Sequence, residues 1–254
     1  YNKYINMNDT RIPKIIHYIW LGTRPLDKVS QKCMNTWGKY LPDYEVKRWG
    51  DDECRDIINS NLYARQAYEA KKYAFVSDYL RVYILYNYGG VYMDTDVQMF
   101  KSIDRFLIHG AFTCFENKTQ IPTALMASAK GNQWMKALLD YYDDKSFIDA
   151  DGHMDITTNV DAITNVSLGM GFVPNAQIQV FSDDVHIYTK DYFCPIDTKN
   201  KANDIFTENT YAAHLYNGSW RSPLRQKLSK IKKKFGINVN KIFPKFIVRL
   251  LEII

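Results

Sequence analysis

Cysteine is scarce in this 254-residue chain: four stand alone, at Cys33, Cys54, Cys114 and Cys194, and no two form a CxxC pair. A zinc ribbon or a thioredoxin-type motif is therefore not expected, and scattered thiols in a chain of this size read as reduced and cytosolic. No stretch approaches the ~18 consecutive apolar residues that a membrane-spanning helix needs. The first ten residues, YNKYINMNDT, contain no apolar core of a signal peptide, so none is expected. Repeats of solenoid period are missing too. The net charge of +5 is uneven: residues 221–254 hold ten Lys/Arg and one acid, which leaves −4 on the first 220 residues. A mildly acidic body disfavours nucleic acid as a partner, and a basic tail favours anionic surfaces.

What is present is an ordinary globular composition, 46% hydrophobic and 24% charged, with 15% aromatic residues including 19 Tyr. A chain this long buries roughly 70–75% of its unfolded surface and needs no covalent staple. Residues 14–20 (KIIHYIW) read as a buried strand, 29–40 as a helix, 44–49 as a second strand and 51–59 as a short helix with acids in its first turn. That alternation points to an α/β fold with crossover connections. The strongest helix covers 71–88 and stops at Gly89-Gly90, and 91–100 and 111–115 read as strands. A helix over 131–142, a strand near 180–188 and a short run over 211–216 complete the expectation.

The chemistry concentrates in one stretch. Asp78 and Arg81 are i and i+3 on the strongest helix and share a face. After the glycine pair come Tyr92, Asp94 and Asp96. Two carboxylates two positions apart at the end of a strand can face one side, and hard oxygen donors of that kind suit Mg²⁺ or Mn²⁺ shared with a diphosphate. A bare Asp-x-Asp is more often a solvated turn, and an isolated Asp–Arg pair more often a surface ion pair. The combination of helix, double glycine, strand and acids in one short unit outweighs both readings.

Residues 14–22 (KIIHYIWLG), 77–81 with 89–96, and His214 with Ser219-Trp220 resemble the DxD-containing glycosyltransferases of family 32, a group that includes yeast-type mannosyltransferases and bacterial capsule transferases. The resemblance spans roughly residues 12–220 and implies a GT-A fold: one Rossmann-like domain with a mixed central sheet and a nucleotide sugar at the carboxyl ends of its strands. It implies that Trp20 stacks on the donor base, although a core Trp would look the same. Asp78 and Arg81 would then contact donor sugar and phosphate, Tyr92 would line the pocket, and Asp94 would bind sugar or ribose hydroxyls and approach the metal. Asp96 would ligate the metal with His214 completing its shell, which makes Mn²⁺ preferred over Mg²⁺. Ser219 and Trp220 would close over the diphosphate as a loop. Around 157–164 the family's Gly-Pro is replaced by Asn159-Val160, leaving Asn159, Asp161 and His153 as weak candidates for sugar contacts.

These readings lead to a catalytic domain over 1–220 and a basic amphipathic tail over 221–254 that docks on an anionic membrane face from the cytoplasm. The expected activity is metal-dependent, retaining transfer of a sugar from a UDP-sugar, with GDP-mannose second, to a lipid-linked or growing surface glycan. A toxin-like transferase acting on a protein, a non-catalytic sugar- or nucleotide-binding homologue and a nucleotide hydrolase are the rival readings.

Overall fold

The computed structural model describes residues 10–218. The first parallel pair forms as the sequence suggests. Strand β1 (Ile15–Ile19) pairs in parallel with β2 (Glu45–Trp49) from Ile15 opposite Glu45 to Ile19 opposite Trp49. Helix α1 (Lys28–Tyr40) makes the crossover. It starts where the Asp27 carboxylate accepts the N–H groups of Val29 and Ser30, each at 2.9 Å, which satisfies two donors with no intrahelical partner. Ser30, Cys33 and Trp37 face the interior, and the Trp37 indole donates to the Val97 carbonyl at 2.8 Å.

Helices α2 (Asp51–Ser60), α3 (Leu62–Glu69) and α4 (Tyr73–Tyr88) follow in close succession. The sequence reading has no α3; Asn61 looks like a loop residue but caps this helix, its side chain accepting from Ala64 N at 3.0 Å. Helix α4 is buried on most sides, with Val76, Leu80, Val82, Ile84 and Leu85 inaccessible, so its apolar residues surround the axis rather than lining one stripe. Each such side chain contributes about 1.5–3 kcal/mol on burial.

The helix ends at Gly89, φ +68°, and Gly90 follows at φ +103°. A Cβ on Gly90 would lie 2.7 Å from the Ile15 carbonyl oxygen and 2.9 Å from His17 Nε2, so only glycine fits between β1 and the next strand. The buried His17 ring holds this junction. Trp49 Nε1 donates to its Nδ1 at 3.1 Å, which fixes the tautomer so that Nε2–H donates to the Gly89 carbonyl at 2.8 Å. Burial pushes His17 down to about 4, which keeps that tautomer neutral.

Beyond the junction, the single strand expected over 91–100 is two. Strands β3 (Gly90–Met93) and β4 (Val97–Met99) are separated by a turn over Asp94-Thr95-Asp96 that Val97 N closes on the Asp94 carbonyl at 3.0 Å. The remaining elements are β5 (Ala111–Cys114), β6 (Leu125–Ser128), α5 (Gln133–Asp140), α6 (Asn159–Gly169), β7 (Gln179–Phe181), β8 (Val185–Tyr188) and β9 (Ala212–His214). The strand expected near 180–188 is a hairpin, β7 and β8 joined by the three residues Ser182, Asp183 and Asp184, the last two at positive φ.

Seven strands form one sheet in the order β2-β1-β3-β6-β5-β8-β7, and β4 and β9 form a separate antiparallel ribbon. Within the large sheet β1 is parallel to β2 and β3, and β5 to β8, whereas β6 runs antiparallel to β3 and β5, and β7 antiparallel to β8. This is the expected α/β, GT-A-type architecture with a mixed central sheet. The described body runs as one unit through Leu215. The expected boundary at residue 220 and the tail over 221–254 lie outside the described residues. Among the described residues no helix is long and apolar enough to cross a membrane.

Candidate active site

The turn between β3 and β4 sits at the carboxyl end of β3, beside the carboxyl end of β1. The Thr95 hydroxyl is tied to that of Ser30 on α1 at 3.0 Å, which fixes the turn from one side. From the other side β9 pairs with β4, Val97 opposite His214, so the ribbon carries His214 to the two aspartates. The expectation that Asp94 and Asp96 project together from a strand is corrected: they lie in the turn. They still converge. His214 Nε2 is 3.3 Å from Asp96 Oδ1 and 4.0 Å from Asp94 Oδ2. One donor atom from each of the three residues lies within 4.8 Å of the others. Two carboxylates and an imidazole so placed fit a divalent cation.

Helix α4 delivers the other half of the site. Arg81 is buried, and its guanidinium donates to Asp78 Oδ1 at 2.9 Å, to the Thr123 carbonyl at 2.7 Å, to the Ser77 carbonyl at 3.2 Å and to Asp94 Oδ1 at 3.5 Å. Its charged carbon lies 4.6 Å from the Tyr92 ring centre. A planar fork suits this arrangement, because several acceptors in one plane can share it. The Tyr92 hydroxyl in turn donates to Asp94 Oδ1 at 2.7 Å. Asp78, Arg81, Tyr92, Asp94, Asp96 and His214 are thus brought together.

The electrostatics of the cluster are those of crowded acids. Burial pushes Asp78 up to about 6, with Arg81 pulling it down and Asp94 pushing it further up. Asp94 is raised chiefly by burial, partly offset by Arg81 and His214. Burial alone would lower His214, but its bond to Asp96 and the charges of Asp96 and Asp94 outweigh that and raise it. The site therefore favours an added positive charge.

Trp20 follows β1, half-buried, and its indole N–H donates to the Arg24 carbonyl at 2.6 Å. A cavity of about 400 Å³ opens beside this segment, walled by Leu21, Gly22, Thr23, Arg24, Asp51, Tyr68 and Tyr73 rather than by Trp20. Asp51, at the start of α2, accepts from Gly22 N at 2.8 Å and from the Tyr68 hydroxyl at 2.6 Å. Sequence reasoning missed Asp51, Tyr68 and Tyr73 because they meet only in three dimensions.

Of the weak candidates, Asn159 is at the site and the other two are not. Asn159 begins α6, is buried, and lies near enough to Asp78 to favour its ionised form. Its amide nitrogen makes no hydrogen bond of ordinary length, while its oxygen accepts from the Tyr142 hydroxyl at 3.3 Å. Asp161 is occupied by the Thr158 hydroxyl and Gln120, and His153 sits on an exposed loop beside Asp149. Ser219 and Trp220 lie outside the described residues.

Residues 27–113, which contain α4, the glycine junction and the Asp94–Asp96 turn, match the family described as the glycosyltransferase sugar-binding region containing a DXD motif. Over that segment the chain is similar to the DXD-containing glycosyltransferases. It is 30% identical over 141 residues to an inositol phosphoceramide mannosyltransferase 3 of Schizosaccharomyces pombe, which covers 53% of this chain and 38% of that one, so the chain spans about two fifths of the yeast protein. It is 25% identical over 225 residues to an uncharacterized glycosyltransferase, L373, of Acanthamoeba polyphaga mimivirus, 87% of each chain. Among solved structures it is similar to the PaToxG glycosyltransferase, with a TM-score of 0.46 and 20% identity over 62% of this chain and 69% of that one. The matched segment contains Asp78, Arg81, Tyr92, Asp94 and Asp96, whereas Asn159 and His214, which lie against these residues, come from outside it.

Proposed function

We propose that this chain transfers a hexosyl group from a nucleotide-sugar donor to a glycan or lipid-linked glycan acceptor. The observation that carries the reading is the convergence of Asp94, Asp96 and His214 next to the Arg81–Asp78 pair. Asp96 and His214 would ligate Mn²⁺, with Asp94 approaching it, and the ion would neutralise the donor diphosphate. Arg81 orients Asp78 and Asp94 and presents positive charge toward the leaving phosphate. Asp78 and the amide nitrogen of Asn159 would hold donor-sugar hydroxyls. The cavity beside Trp20 would take the base, with the Asp51 carboxylate an acceptor for a base N–H. The transfer is proposed to retain anomeric configuration, with same-face attack on the sugar. Ser219 and Trp220 are proposed to close over the diphosphate.

A UDP-sugar is the donor the sequence favours. The relatives named as mannosyltransferases bring GDP-mannose level with it. A donor panel with Mn²⁺, scored by slow release of nucleotide, tests the reading without a known acceptor. Release from one donor class, abolished by chelator and by Asp96→Ala, is the expected result. No donor-dependent release with any nucleotide sugar overturns it. Turnover that water alone sustains, unchanged by every glycan offered, would instead favour a hydrolase. The tail over 221–254 is proposed to hold the enzyme on an anionic membrane face in the cytoplasm; equal pelleting with liposomes of the full chain and of a chain ending at Trp220 would remove that part.

A further inference from the structure

The cavity of about 400 Å³ beside Trp20 has one carboxylate in its walls, that of Asp51. Asp51 opens α2 just after β2, and Leu21 and Gly22 follow β1 in the same way. Strands β1, β2 and β3 are parallel, so the cavity lies on the same carboxyl face as the Asp94–Asp96 turn. Tyr73, another wall residue, begins α4, and Asp78 stands about 7.5 Å further along that helix. That spacing lets a base in the cavity reach the sugar and metal residues through its ribose and diphosphate.

Two bonds hold the Asp51 carboxylate in place. Oδ2 accepts from Gly22 N at 2.8 Å, and Oδ1 accepts from the Tyr68 hydroxyl at 2.6 Å. The bond to Asp51 pushes Tyr68 up to about 12, so the phenol keeps its proton and remains the donor. An ionised carboxylate has about four acceptor positions, so each oxygen of this half-buried group keeps one for a ligand. The other walls discriminate less. Tyr68 and Tyr73, with ring centres 5.6 Å apart, offer aromatic faces on which any base can stack.

On the reading of this cavity as the base site, we propose that Asp51 selects guanine, so that the donor is a GDP-sugar rather than a UDP-sugar. Guanine presents two adjacent donors, N1–H and N2–H, and a carboxylate pairs with both through its two oxygens, as it does with an arginine fork. Uracil presents one donor, N3–H, between two carbonyl oxygens. Facing Asp51, those oxygens meet the carboxylate oxygens with like partial charge. Adenine and cytosine each present one amino donor beside an unprotonated ring nitrogen, which sets a lone pair against one carboxylate oxygen. The site therefore rejects the wrong base by repulsion as well as by lost bonds. The Thr23 hydroxyl, also in the wall, is a donor for guanine O6.

The test titrates the full chain in Mn²⁺ with GDP, UDP, inosine diphosphate and xanthosine diphosphate by calorimetry. GDP is expected to bind at least about tenfold tighter than UDP, and inosine diphosphate, which lacks N2–H, several-fold weaker than GDP. Asp51→Asn is expected to weaken GDP at least about tenfold and to tighten xanthosine diphosphate, whose O2 accepts from the new amide while N1–H donates to its oxygen. A merely structural role for Asp51 would weaken every nucleotide alike and create no affinity for xanthine. Circular dichroism checks that the variant is folded, and the comparison of GDP, inosine diphosphate and UDP needs no variant. UDP bound as tightly as GDP or tighter, or a GDP preference that the folded variant keeps, overturns the choice of guanine and leaves the transferase reading standing. Binding of none of the four diphosphates overturns both.

Discussion

The two ends of the sheet use the same residue types to opposite effect. At the carboxyl end, Arg81 is 5% exposed and faces two partly buried carboxylates, and loss of solvent lifts both Asp78 and Asp94 above their ordinary range. At the amino end, the Arg11 side chain is 48% exposed, and Asp184 lies below its ordinary range: burial would raise it, but His186, the Gly110 N–H and Arg11 outweigh that. One end holds carboxylates whose negative charge is under-compensated. The other holds a carboxylate already satisfied by Arg11, the Gly110 N–H and His186. Sign and size of charge compensation, more than residue identity, separate a place built to receive a cationic ligand from one built to hold a hairpin.

The sharpest way to break this contrast is to remove charge at the carboxyl end. Asp96→Ala is expected to lower nucleotide release roughly a thousandfold, the several kcal/mol that a bound metal supplies, with the circular dichroism spectrum unchanged. Retained turnover would erase the distinction between the ends. Arg81→Ala strands the partly buried Asp78 and Asp94 without their counter-charge and is expected to destabilise the fold in urea unfolding by about 2–4 kcal/mol, less than for a fully buried pair.

A finer test is pH. Asp78 is pushed up to about 6 from 3.8, so between those values the folded chain binds more protons than the unfolded one, and this group's contribution to stability falls as pH rises through that window. Asp78→Asn removes the effect. The stability of the native chain relative to that variant is expected to drop by at most about 3 kcal/mol from about pH 3.5 to about pH 7. A difference that grows with pH would contradict the assigned direction. The smallest effect belongs to the amino end: His186→Gln is expected to leave nucleotide release within about twofold of the native chain, because His186 touches none of the residues around the Asp94–Asp96 turn.

The carboxyl end was more legible in the sequence than the amino end, for a physical reason. Helix α4, the glycine pair and the two aspartates are contiguous, and local spacing brings them together. His109 and His186 meet only because β5 and β8 lie side by side, and no local pattern records that pairing. Helix α6 is not among the elements the sequence suggests, because its small polar residues are core residues with bonds of their own: Thr164 Oγ1 accepts from Ile121 N at 3.1 Å and Ser167 Oγ from the Trp134 indole at 2.9 Å. Strands β4 and β9 are three residues each, too short for an alternation to show, and the turn that splits 91–100 is made by the same aspartates that were read as the strand's end.

The β4–β9 ribbon has a consequence for synthesis. Five strands of the large sheet, β2, β1, β3, β6 and β5, can be in register before residue 185, and Asp78, Arg81, Asp94 and Asp96 lie within their span. His214 reaches them only when β9 emerges and zips onto β4. In a nascent chain the cluster of Asp94, Asp96 and His214 is therefore incomplete until nearly all of the described body has left the ribosome, and the last of the described strands closes it.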